Sequence, residues 1–177
     1  VEKPAGDAPV KCGVPLCNFT AALYGAFSIS AALRHKEKTG EGQNIDVSML
    51  GTSVSLAALQ TSECFGTGND PKKLGSAHPR NAPYQAFRAQ DGFFGMAAGN
   101  NGLWHSVCDV VGLAELQEDE RYINPTLRAQ NQNQLRITLE EIFMGKAVDF
   151  WLKAFADAGV PCSPINSYSS ALKNPQV

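Results

Sequence analysis

Apolar residues recur at four-residue steps early in the chain: Phe19, Leu23, Phe27 and Ala31. That spacing predicts a helix over residues 18–38 with this stripe as its buried face. Arg34, His35, Lys36 and Lys38 crowd its last turns, where cations suit the negative end of the helix dipole. Gly40 then supplies the stop. Residues 43–47 read as a short strand. Ser48 is placed to cap a second helix running to about residue 64, with Leu50, Val54 and Ala57 or Ala58 on one face. Helix, strand and helix in succession suggest the end of an α/β layer.

Between residues 65 and 83 the periodicity stops among Gly66, Gly68, Asn69, Asp70, Pro71, Gly75, Pro79 and Pro83. A boundary is expected here, with a first segment over 1–65, a linker or active-site loop over 66–83 and a small α+β domain over 84–177. Strands are predicted at 84–89 and 93–98, joined by the turn Gln90-Asp91-Gly92. A helix over 101–111 shows Trp104, Val107, Cys108 and Val111 on one face. Another over 126–143 carries Leu135, Leu139 and Ile142. A third over 147–158 carries Val148, Trp151, Leu152 and Phe155, and Gly159 closes it. Residues 160–165 read as extended and 167–172 as a last turn.

Composition narrows the function classes. The 177 residues suit one domain, or one and a part. A net charge of −2 gives no basic excess for nucleic acid or an anionic membrane. No apolar run is expected to reach the roughly 18 residues of a membrane span; residues 16–33 come nearest but contain Asn18, Thr20, Tyr24, Ser28 and Ser30. The chain starts without Met or a signal peptide and ends without a closing element, so a piece of a longer protein is expected. The five cysteines form no Cys-x-x-Cys and the three histidines no ligand pair, which argues against a metal site. Free thiols suit a cytoplasmic protein. Asn18-Phe19-Thr20 has the form of a glycosylation sequon, read as unused without a secretory signal. Gly40 and Gly42 follow a helix and precede a strand, the wrong order for a dinucleotide loop.

Four strings lie in order along the chain. They are Thr39-Gly40-Glu41-Gly42-Gln43 followed by Ile45-Asp46-Val47-Ser48; Asp91-Gly92-Phe93-Phe94 followed by Ala97-Ala98-Gly99-Asn100 and Trp104; Ala158-Gly159-Val160-Pro161-Cys162-Ser163-Pro164-Ile165; and Asn174-Pro175-Gln176-Val177. Together they resemble the family III CoA-transferases of the CaiB–BaiF type, which include formyl-CoA transferase. The resemblance implies an α/β fold: a fragment of a Rossmann-like large, CoA-binding domain, then a small α+β domain. It implies acyl-CoA and carboxylate substrates, coenzyme A thioester as substrate with no covalently bound cofactor, and an interlocked homodimer. The family's chemistry moves CoA between carboxylic acids through an acyl–aspartyl anhydride and an enzyme–CoA thioester. A catalytically silent folding or assembly module is a rival reading. An acyl-CoA racemase of the same superfamily is another, using acid–base chemistry at the α-carbon.

The resemblance places Asn18 where the family carries its nucleophilic aspartate. An amide nitrogen is a very poor nucleophile and bears no charge. The alternative role for Asn18 is a helix N-cap, accepting from the backbone N–H of Thr20 or Ala21. Cys17 beside it reads either as a thiol activated at a helix start or as a small buried residue. The stretch Gly75-Ser76-Ala77-His78-Pro79-Arg80-Asn81 lies where the resemblance places a glycine-rich active-site loop, but with one glycine in place of a run. His78 and Arg80 are candidate carboxylate-binding residues, or parts of an exposed linker. Tyr84 and Asn100 are candidate site-lining residues, or plain strand and cap residues. His105, next to Trp104, reads as structural.

Overall fold

The computed structural model describes residues 11–177. Of the loop expected over residues 1–15, residues 1–10 lie outside the described part. The chain divides into two compact units, Val1–Lys72 and Lys73–Val177.

The first unit holds three helices: α1 Leu16–Thr39, α2 Met49–Leu56 and α3 Ala58–Thr67. Gly40 ends α1 in the left-handed conformation, its N–H donating to the Lys36 carbonyl at 2.8 Å. Ser48 caps α2, its hydroxyl accepting from the Gly51 N–H at 3.0 Å. Four expectations fail in this unit. Residues 43–47 join no ladder among the described residues. A strand needs a partner to satisfy its N–H and C=O groups, and here Ile45 and Val47 are merely half-buried between exposed neighbours. The second helix is broken at Ala57. The expected stripe of α1 is also not its covered face: Phe19, Leu23 and Phe27 are 59%, 71% and 76% exposed. The half-buried positions are instead the small ones, Thr20, Ala21, Gly25, Ser28 and Ala32. α2 packs beside α1, and the large apolar side chains of α1 are left outside. By length and composition α1 also qualifies as a membrane-crossing helix, contrary to the expectation from its polar interruptions.

The second unit is built on an antiparallel sheet ordered β1 Tyr84–Arg88, β2 Phe93–Ala97 and β3 Cys162–Pro164. Tyr84 pairs with Ala97, Phe87 with Phe94, and Gly95 with Ser163. The helices are α4 Asn101–Val111, α5 Pro125–Gln130, α6 Gln132–Phe143, α7 Val148–Asp157 and the short α8 Tyr168–Ala171, with a 3₁₀ turn at Ala114–Gln117. Asn131 divides the helix expected over 126–143, and Asn124 caps its first half. Phe143 lies at the centre of the core. Its ring meets Phe87 at 5.5 Å, Phe94 at 5.1 Å, Trp151 at 5.0 Å and Phe155 at 5.8 Å, all edge-on. Its carbonyl accepts from the Trp151 indole N–H at 2.9 Å. Burial of such a cluster is the main stabilising term of the unit.

The free edge of β1 is closed by side chains. The Ser76 hydroxyl accepts from the Ala86 N–H at 3.1 Å and Glu140 Oε1 from the Arg88 N–H at 3.0 Å. Donors that would otherwise invite a foreign strand are thus occupied. At the other end of the hairpin, Asp91 Oδ1 accepts from the Val148 N–H at 2.8 Å. α7 lacks a cap of its own, since Ala147 precedes it, and the hairpin turn supplies one.

Candidate active site

In the first unit, Pro15 takes the N-cap position of α1, three residues ahead of the expected cap. Its ring fixes φ at −76°, close to the helical value. Its carbonyl accepts from the N–H groups of Asn18 and Phe19 at 3.1 and 3.2 Å. Asn18 is therefore the third helical residue and not the N-cap, and no side-chain cap bond is present. Its amide points no hydrogen bond back to Thr20 or Ala21. Asn18 is exposed and lines a cavity of about 570 Å³ with Lys11, Cys12, Leu16 and Cys17 on one side and Ser53 and Leu56 of α2 on the other. The first turn of α1 contains no acidic residue. The start of α1 carries the positive end of the helix dipole, which suits an anion or a developing oxyanion nearby. Cys17, expected either activated or buried, is an exposed free thiol on the same wall, as is Cys12.

In the second unit, His78 and Tyr84 come together. Their rings stack with centroids 5.0 Å apart at 16°. The His78 N–H donates to the Tyr84 carbonyl at 2.9 Å. His78 Nδ1 accepts from the N–H groups of Arg80 and Asn81, each at 3.1 Å. Arg80 itself is exposed. Tyr84 also lines a second cavity, of about 330 Å³, on the sheet face formed by Gly95, Ala97 and Ser163. Neither His78 nor Asn100 lines this cavity. Asn100 Oδ1 caps α4, accepting from the Leu103 N–H at 2.8 Å. His105 is exposed on α4.

The segment before β1 is tightly held. The Ala98 N–H donates to the Pro83 carbonyl at 2.8 Å. A Cβ on Gly99 would stand 2.9 Å from the Asn81 Cβ, so the backbone approaches this segment closely only because residue 99 lacks a side chain. The least legible contributor is Arg128. It is fully buried and spends its guanidinium on the carbonyls of Ala82 and Tyr122, both at 2.9 Å, and on Asn101 Oδ1 at 3.0 Å. Burial pulls its pKa down from the usual arginine value. Beside it, burial first and the Asp109 charge second push the Cys108 thiol up to about 12, so this cysteine is inert. A lone arginine on a polar helix signals solvent exposure in sequence, and nothing in the periodicity marks Arg128 as buried. Ser53 and Leu56 were equally hidden, because only the packing of α2 brings them to Asn18.

Among the described residues no group of three or more metal-ligating side chains occurs. A sequence profile of CoA-transferase family III matches the chain over residues 1–177. The chain is 34% identical to human succinyl-CoA:glutarate CoA-transferase, over 98% of its own length and 40% of the relative's. It is 34% identical to acetyl-CoA:oxalate CoA-transferase of Acetobacter aceti, over 98% and 44%. A crystal structure of a CaiB/BaiF family protein from Brucella suis matches with a TM-score of 0.74 at 34% identity, covering 98% of this chain and 46% of that one. A Mycobacterium tuberculosis structure matches in fold with a TM-score of 0.83 at 23% identity. The chain thus spans less than half the length of these relatives. With its full length matched by the family profile and its fold shared with a family structure, the chain belongs to CoA-transferase family III.

Proposed function

We propose that a protein containing this chain binds an acyl-CoA and a carboxylic acid, and that Asn18 occupies the place of the carboxylate that would carry CoA between them. The observation that carries this reading is the position of Asn18. It stands in the first turn of α1, on the wall of a cavity of about 570 Å³, in a family whose relatives are named as CoA-transferases. An aspartate there would attack the thioester carbonyl of an acyl-CoA. The thiolate of CoA would leave and a mixed anhydride would form. CoA would then attack the aspartyl carbonyl, giving an enzyme thioester and a free carboxylate, and the acceptor acid would reverse the two steps. The positive end of α1 favours both the attacking carboxylate and the oxyanion formed from it.

Asn18 cannot take part in that cycle, because an amide neither attacks a thioester nor leaves from an anhydride. This supports a second reading, in which the chain as it stands is a silent folding or assembly module. The two separate in a transfer assay on a protein of the relatives' full length, with succinyl-CoA as donor and glutarate as acceptor. The Asn18→Asp protein is expected to form glutaryl-CoA at least a hundredfold faster than the Asn18 protein, since removing a covalent nucleophile costs more than that in kcat. Absence of glutaryl-CoA with both proteins would favour the silent module.

A further inference from the structure

The geometry around His78 fixes its protonation pattern. Nδ1 accepts two backbone N–H groups, from Arg80 and Asn81, each at 3.1 Å. A nitrogen that accepts carries no proton, so the single proton of the neutral imidazole sits on Nε2. Among the described residues nothing accepts that Nε2–H, and it is not sealed in the core, where the unpartnered polar atoms are those of Trp104 and Tyr122. Stacking on Tyr84 at 5.0 Å and the His78 N–H bond to the Tyr84 carbonyl at 2.9 Å hold the ring's plane. The segment carrying it is itself pinned, through the Ser76 hydroxyl to the Ala86 N–H and through the Ala82 carbonyl to buried Arg128. Residues 75–86 contain no acidic side chain.

We infer that His78 is a preorganised neutral hydrogen-bond donor, presenting Nε2–H to an oxygen of a carboxylate ligand beside the Tyr84 ring. A donor already held in place costs little ordering on binding. An acceptor anion meets no competing carboxylate in this stretch. The choice of a carboxylate rests on the transferase reading, while the donor state rests on the hydrogen bonds alone.

The test is nuclear magnetic resonance on the chain with ¹⁵N-labelled histidine. At neutral pH, long-range proton–nitrogen correlations are expected to show His78 as the Nε2–H tautomer. Adding sodium succinate is expected to move the His78 Nε2 and Tyr84 ring signals saturably, while sodium chloride at equal ionic strength leaves them in place. His78→Asn keeps an oxygen acceptor for the two backbone N–H groups but has no donor at the Nε2 position, its amide NH2 lying nearer the backbone. Succinate affinity read at Tyr84 is expected to fall about tenfold in that variant. An Nδ1–H tautomer, a succinate response no larger than that to chloride, or equal succinate affinity in His78→Asn would each overturn the inference. If His78→Asn does not fold, the two readouts on the unaltered chain decide. A succinate response at His78 alongside an inactive Asn18→Asp protein would defeat the transferase reading and leave the inference standing.

Discussion

Asn18 illustrates how one residue upstream changes the role of another. Asparagine ranks with the best capping residues, yet Pro15 starts the helix first and leaves Asn18 inside the first turn. Its side chain then contributes no cap bond. Asn18→Ala is accordingly expected to change stability by no more than about 0.5 kcal/mol in urea denaturation, since the propensity difference favours Ala if anything. A loss of a full cap's worth, about 1 kcal/mol, would restore the capping role. Cys108 offers a second residue-scale test. Its thiol is pushed up to about 12 from an ordinary value of 9.0, mainly by burial. A group whose folded pKa is raised contributes stability below the unfolded value and loses it as pH rises towards the folded one. Stability is therefore expected to fall as pH rises above about 9, and less so in Cys108→Ala than in the unaltered chain. At pH 8, exposed Cys12 and Cys17 are expected to alkylate with iodoacetamide well before Cys108.

At the scale of elements, the helices and strands that cover their own apolar face were legible. The hairpin at 84–97, the Asn100 and Ser48 caps and the glycine stops at Gly40 and Gly159 all depend on local chemistry. The errors fall where the outcome depends on a neighbour. Residues 43–47 alternate like a strand but find no ladder partner among the described residues. Phe19, Leu23 and Phe27 repeat like a core stripe but are exposed, while the half-buried positions of α1 carry small residues. Asp91 was legible as a turn residue, yet its carboxylate acts 57 positions away as the cap of α7. In the second unit the His78–Tyr84 pair lies close enough in sequence to be suspected, whereas Arg128 reaches the Ala82 carbonyl only through packing; in the first unit only packing brings Ser53 to the cavity of Asn18. Asp91→Ala is expected to cost the second unit about 1 kcal/mol in denaturant melts, and Asp91→Asn much less, because the amide oxygen still accepts. Equal effects of the two substitutions would show that the charge, and not the cap bond, matters.

For the whole molecule, the governing fact is the apolar surface of α1, where no residue is buried. Phe19, Leu23, Phe27, Ile29 and Leu33 are all more than half exposed. Exposed apolar surface on this scale seeks a cover. We expect the chain to associate in water through α1, and light scattering at high micromolar concentration to report a dimer or larger species. A monodisperse monomer would contradict this, and Phe27→Lys with Leu23→Lys should dissociate the assembly if α1 is the interface. The decisive observation returns to Asn18, in a protein of the relatives' full length incubated with succinyl-CoA and analysed by intact mass spectrometry. The Asn18→Asp protein is expected to gain a mass increment equal to CoA, lost on treatment with a carboxylate acceptor, while the Asn18 protein gains none. A CoA adduct of equal yield on the Asn18 protein, or none on the Asn18→Asp protein, would contradict the placement of the nucleophile at this position.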